Sequence, residues 1–461
     1  MFSYLYNVSV APISSLVSRF LPMSSAVFSG KWLRKSAGKL ISIITFTVFF
    51  ILDFLDAVFC IIYRYLDECL EGKTSPCYCG NRGQQGNNVI DGEEGELSET
   101  LYGRKNIFRE MGFLKFPRKW ENSQKRCCGG EKMVNRWSDC GCNSCVSWVK
   151  SNGDHRLHLI VKEPSLDPNE DFKEKPTENV IFLHGFLSSS SFWTQTVFPT
   201  LLEQVNGNYR LVAVDLLGFG RSPKPRDCFY TLRDHLEMIE KSAIEPLHLS
   251  SFHLVAHSMG CIIALALAAK HSKSVKSVTL VAPPYFSSLE NGASLNALER
   301  LAEKKLWPPL SFGSSFMSWY EHLGRCVCFL FCQNHRNWEW ILKFITRKRD
   351  LDFMISDLSR HTHHSAWHSM HNVICGGAKF MDRYLGILTK AGVKISVVQG
   401  DQDQVVPIEC CKNFKLKAPD IEVNIVRNAD HGTVIFGREE DFAQNLGCIW
   451  TSLAADSARK Y

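Results

Sequence analysis

The sequence predicts an α/β fold, with a mostly parallel sheet flanked by helices and a helical cap inserted before the penultimate strand. Three observations carry this. Short β-rich apolar runs recur after residue 150, helical stretches separate them, and about a hundred residues stand between the fourth and fifth runs. In order, the strands are Asn179–Leu183, Arg210–Val214, Phe252–Ala256, Val275–Val281, Lys394–Val398 and Ile421–Val426. Runs that are apolar almost throughout belong to strands covered on both faces, the habit of parallel sheets. The Ala- and Leu-rich stretch after the third strand reads as a helix to about Lys270. The core is therefore assigned to 151–285 and 393–461, and the cap to 286–392.

The 461 residues are 45% hydrophobic and 22% charged, a balance that excludes disorder, collagen-like repeats and a polytopic membrane protein. The net charge of +6 comes from 53 basic and 47 acidic residues, interspersed, so nucleic acid is not expected as a partner. Eighteen cysteines are too many for a typical cytosolic enzyme. Nine of them precede residue 146: Cys60, Cys69, Cys77, Cys79, Cys127, Cys128, Cys140, Cys142 and Cys145.

The N-terminal third divides into a basic arm (1–39), a hydrophobic segment (40–63) and a Cys-rich, linker-like region (64–150). A spanning helix needs about 20 apolar residues, and here Asp53 and Asp56 interrupt. Two readings stay open, a signal peptide or anchor preceded by Lys31, Arg34, Lys35 and Lys39, and a buried or interfacial helix. The basic flank predicts a cytoplasmic N-terminus, and the cysteines then suit an oxidising compartment. The expected location is extracytosolic, secreted to the cell wall or anchored and facing outward; lipidation at Cys60 is a further route. Cys140-Gly-Cys-Asn-Ser-Cys145 with Cys127-Cys128 has a zinc-knuckle look, but no paired His or second CxxC follows at knuckle spacing. Disulfides or separate thiols are expected there, and no metal.

The chemistry concentrates where the third strand ends. Ala256-His257-Ser258-Met259-Gly260 puts a serine on a strand-to-helix turn, with small residues two before and two after it. This is a nucleophile elbow. A serine hydroxyl needs a base, and the base needs an orienting acid. Asp403, in the loop after 394–398, is the expected acid, with Asp401 as runner-up. His431, after the last strand, is the expected base. The order Ser, Asp, His is that of the α/β-hydrolase fold. The amides of Met259 and Phe186 are the expected oxyanion donors, and His184 is expected to hold that loop or to contact substrate. No cofactor is called for.

These motifs resemble the α/β-hydrolase superfamily over roughly 179–448. The hydrophobic N-terminus, the cysteine-rich insert and the stretches His257-Ser-Met-Gly-Cys261 and His361-Thr-His-His-Ser-Ala-Trp-His368 resemble the plant BODYGUARD-type hydrolases. That resemblance implies an extracytosolic serine hydrolase of lipid or fatty-acyl esters, lysophospholipase-like, acting in cuticle or cutin formation. An acyltransferase using the same triad and a non-catalytic, membrane-tethered ligand receptor are the alternatives. The expected partners are a lipid or acyl-ester substrate and a membrane or the cell wall.

The cap is rich in aromatics: Trp307, Phe312, Phe316, Trp319, Tyr320, Phe329, Phe331, Trp338, Trp340 and Phe344. They are expected to line an acyl pocket or to pack the cap onto the core. Arg347-Lys-Arg349 reads as a solvated face, with contact to a phosphate headgroup as the alternative. The histidines at 361, 363, 364, 368 and 371 lack interleaved carboxylates, so a metal is not expected there either.

Overall fold

The computed structural model describes residues 30–72, 97–102, 106–111, 136–150, 156–164, 178–201, 209–286 and 317–458. Seven strands form one sheet: β1 (Leu159–Lys162), β2 (Glu178–Leu183), β3 (Tyr209–Val214), β4 (Phe252–His257), β5 (Val275–Val281), β6 (Lys394–Gly400) and β7 (Glu422–Val426). Their spatial order is β1-β3-β2-β4-β5-β6-β7. Only the β1–β3 pairing is antiparallel. β1 is an addition to the strands read from sequence, and its Val161 and Lys162 are exposed at the sheet edge.

Alternation along the strands feeds two cores. Ile181, Leu183, Val212, Leu254 and Leu280 face one of them. Val180, Phe182, Leu211, Val255 and Val398 face the other. Both faces are covered, which is why the strands read as continuous apolar runs. Register then fixes the site. Leu183 pairs with both Val214 and Ala256, and Val281 with both His257 and Val398, so the segments after these strands emerge along one edge.

Five helices matter below: α1 (Gly30–Glu71), α2 (Met259–Lys270), α3 (Glu321–Phe331), α4 (His335–Thr346) and α5 (His363–Ser369). α2 is buried continuously from Met259 to Ala268, and an all-apolar helix of this kind belongs inside a core. The helices between β5 and β6 occupy the place expected for the cap.

The chain divides into two units at Leu55/Asp56. In the first, α1 exposes Ile43, Phe46, Phe50, Ile51, Phe54 and Leu55. One helix segment among the described residues, Phe46–Glu71, is long and apolar enough to cross a membrane. α1 does not stop at Tyr63. From Asp56 to Glu71 it is part of the second unit, with Asp56, Cys60, Tyr63 and Asp67 buried along one face. Asp56 accepts from the amides of His322 (3.1 Å) and Leu323 (3.4 Å) at the start of α3, a carboxylate on a helix N-terminus. Asp67 grips Arg325 with two bonds, 2.8 and 2.6 Å, and Glu71 pairs with Arg226.

The expected linker is tied down where it is described. Leu101 enters the core, and Ser98 N donates to Asn372 Oδ1 at 2.9 Å. Trp137 donates from Nε1 to Asp67 and from its backbone to Glu71. Cys77, Cys79, Cys127 and Cys128 lie outside the described residues.

Candidate active site

Ser258 sits between β4 and α2 at φ 52°, ψ −121°, a left-handed conformation that costs a non-glycine residue energy. Packing holds it there. Its amide donates to Val281 O at 2.9 Å and its carbonyl accepts from Cys261 N at 2.9 Å. A Cβ at Gly260 would lie 2.6 Å from the His184 carbonyl oxygen and 2.9 Å from that of Leu183, so this position needs glycine for α2 to reach β2. Two residues before the serine, fully buried Ala256 fits its methyl into the core.

His431 Nε2 lies 3.0 Å from Ser258 Oγ, and its Nδ1 lies 2.8 Å from Asp403 Oδ2. The acid is fixed in turn. Its Oδ1 accepts from the amides of Val405 (2.7 Å) and Val406 (2.8 Å), and its Oδ2 from Gln399 Nε2 at 3.1 Å. Burial works to raise the Asp403 carboxyl, but His431 and the two amides together hold it below its usual value. Asp403 therefore faces Nδ1 as an anion, an arrangement that would keep the proton on Nδ1 and leave Nε2 as an acceptor toward Ser258 Oγ. Asp401 is exposed and turned to Ala429 N, 3.4 Å away, outside this chain of bonds.

Two loops must touch for His431 to meet Asp403. Gln402 N donates to Ala429 O at 2.9 Å and Asp401 N to Val426 O at 3.1 Å. A Cβ at Gly400 would come within 2.3 Å of Ala429 O. No other residue type fits there.

On the opposite side, Gly185 passes so close to the elbow that a Cβ there would meet His257 Nδ1 at 2.9 Å and Ser258 Cβ at 3.1 Å. This brings the chain at Phe186 beside Ser258. Met259 opens α2, so its amide belongs to the helix N-terminus, where donors are unspent. His184 is fully buried and uses both ring nitrogens: Nδ1 donates to Gly185 O (2.7 Å), and Nε2 accepts from Leu216 N (2.9 Å). Burial lowers its pKa. Both ring nitrogens of His184 are thus bonded within the loops after β2 and β3.

Two positioning residues escape a sequence reading. His257 bonds the His431 carbonyl from Nε2 at 3.0 Å, and its ring stacks on Phe192 at 4.6 Å. Asp215, at the end of β3, accepts from Ser190 N (2.6 Å) and Arg221 N (2.7 Å), joining the loops after β2 and β3. Its place after a strand was the available signal.

The expected aromatic acyl pocket is not assembled by α3 and α4. Phe331, Trp338, Trp340 and Phe344 are exposed, Trp340 by 68% and Phe344 by 74%, and only His335 of α4 is buried. Tyr320 is buried; Trp307, Phe312 and Phe316 lie outside the described residues. Counting aromatics cannot say which side of an amphipathic helix meets solvent. His363, His364, His368 and His371 are buried, with His364 bonded to Cys228 O and His371 to Thr100 Oγ1. His361 instead stands with Cys328 and Cys332.

Comparison with known proteins completes the picture. A family model described as "alpha/beta hydrolase fold" matches residues 178–307. From Arabidopsis thaliana, "Probable lysophospholipase BODYGUARD 4" is 54% identical over 91% of this chain and 99% of its own. The chain belongs to the BODYGUARD family of α/β-hydrolases. "Probable lysophospholipase BODYGUARD 5" is 52% identical over 88% of this chain and 94% of its own, and "BODYGUARD 1" 38% over 87% and 94%. The similarity to these BODYGUARD proteins spans the Cys-rich N-terminal third as well as the hydrolase core.

Proposed function

We propose that this protein is a serine hydrolase of lipid or fatty-acyl esters, lysophospholipase-like, held at a membrane by α1 with its body outside the cytosol, and working in cuticle or cutin formation. One observation carries the catalytic part: the unbroken hydrogen-bond chain Asp403–His431–Ser258. His431 Nε2 takes the proton as Ser258 Oγ attacks the ester carbonyl. The amides of Met259 and Phe186 hold the developing oxyanion, each donor contributing about 3 kcal/mol. His431 then protonates the leaving alcohol, and water releases the acyl group from Ser258.

The names of the BODYGUARD relatives support the lipid substrate. The apolar, exposed upstream part of α1 supports the anchor, and a basic flank at Lys31, Arg34, Lys35 and Lys39 supports a cytoplasmic N-terminus. Because Asp56, Asp67 and Glu71 are bonded into the body, the anchoring role falls to the part of α1 upstream of Asp56. Exposed Trp340 and Phe344 beside Lys343, Arg347, Lys348 and Arg349 add an aromatic and basic patch suited to anionic lipid.

Labelling by a fluorophosphonate probe tests the triad: Ser258-dependent labelling is expected, and its absence would favour the receptor alternative. Incubation with lysophospholipid and with hydroxy-fatty-acid esters, with and without an alcohol acceptor, separates hydrolysis from acyl transfer by product.

A further inference from the structure

We propose that Cys140, Cys142, Cys145 and His335 form a structural zinc site. The four donor atoms lie within 4.8 Å of one another. His335 Nε2 is 3.6 Å from Cys142 Sγ and 3.5 Å from Cys145 Sγ. A tetrahedral zinc with Zn–S of about 2.3 Å and Zn–N of about 2.0–2.1 Å sets this separation at about 3.6 Å. His335 and these two thiols therefore stand as a bound ion would hold them, with Cys140 Sγ within reach as the fourth donor.

The surroundings match those of a metal ligand set. Cys142 N donates to Cys140 Sγ at 3.4 Å, a bond that stabilises thiolate. His335 is buried, and its other ring nitrogen, Nδ1, faces Glu339 Oε1 at 3.3 Å, the carboxylate–histidine arrangement that fixes the tautomer of a zinc-bound imidazole. Fourteen of the eighteen cysteines lie among the described residues, and no disulfide joins any two of them.

Three thiolates and one imidazole are soft donors, which select zinc over magnesium or calcium. Four protein donors leave no open position, so the site is structural rather than catalytic. On binding, three thiols release protons to solvent and Zn²⁺ replaces them, leaving one net negative charge with His335 neutral. The ion would clamp the 140–145 segment to the start of α4, about 190 residues away in sequence. Beside it, Cys328 and Cys332 approach His361 at 3.7 and 3.5 Å, a three-donor set.

Metal analysis of the full-length protein, purified without chelator, should find at least one zinc per chain. Cys145→Ser and His335→Ala should each lower the count by one, whereas His335→Cys and Cys448→Ser should keep it. An ion at the three-donor set would raise the total without changing that loss. For variants that do not fold, exchange of the intact wild-type protein with Co²⁺ gives a second readout, the visible bands of tetrahedral cobalt thiolate. Absence of zinc and of those bands, a count unchanged in His335→Ala, or a disulfide among Cys140, Cys142 and Cys145 by non-reducing peptide mapping would overturn the proposal.

Discussion

His257 donates from Nε2 to the backbone carbonyl of His431, 3.0 Å away, so the residue before Ser258 ties down the loop that carries His431. Burial pushes its pKa down to about 3, leaving a neutral ring with one N–H for that bond. His257→Phe keeps the stack on Phe192 and removes the donor. kcat should fall about 10²-fold, as for other small misplacements of a catalytic group, with KM nearly unchanged. Steady-state kinetics reads the split; a wild-type kcat would contradict the role.

Within the triad, the two candidate acids separate cleanly. Asp403→Asn should cost about 10⁴-fold in kcat by stabilising the wrong imidazole tautomer, while Asp401→Asn should stay within a small factor of wild type. Ser258→Ala should abolish fluorophosphonate labelling. Ester hydrolysis by the three variants checks the assignment.

Acid should unfold this protein early. His257, His368 and His371 are each pushed down to about 3 by burial, against about 6.5 in an unfolded chain. Between those values the unfolded state binds more protons, so stability falls as pH drops from about 6.5, by about 1.4 kcal/mol per group per pH unit. The thermal midpoint should drop clearly between pH 6 and pH 5, and His368→Leu should soften the drop. A midpoint flat to pH 5 would show that these rings are not buried neutral.

Asp67 and Arg325 form a buried two-bond pair, with the guanidinium 4.5 Å from the Tyr63 ring centre. Removing one partner strands a buried charge. Asp67→Ala should destabilise the fold by about 3–5 kcal/mol, while a joint Asp67→Leu, Arg325→Met change should cost much less. Chemical denaturation measures both.

Truncation distinguishes anchor from scaffold. A chain starting at Asp56 should be soluble and active, because the bonded part of α1 is kept. A chain starting at Gly72 loses Asp56, Asp67 and Glu71 and should aggregate or resist refolding. Equal solubility and activity of the two would refute a structural role for 56–71.

Local signals made the elbow legible. Ala256 to Gly260 carry the strand, turn and helix within one short stretch, and the strands on either side encode their burial in composition. Asp403 and His431 followed from chain order once Ser258 was placed. Contacts distant along the chain did not show: Asp56 read as an interruption of an apolar segment, and Asp67 fell in the linker-like region, because their partners, the start of α3 and Arg325, lie more than 250 residues away. The approach of His335 to Cys142 and Cys145 was hidden for the same reason, about 190 residues separating them. The exposure of Phe331, Trp338, Trp340 and Phe344 did not show either, because pattern alone does not tell an inward face from an outward one.

Gly400 has a consequence for reading genomes. A Cβ there would strike Ala429 O at 2.3 Å and push apart the loops bearing Asp403 and His431, leaving all three triad letters intact. A paralogue with Ser, Asp and His in place but alanine at this position would pass any motif scan as an enzyme and still be silent. Position 400 therefore tells a living copy from a retired one where the triad itself does not.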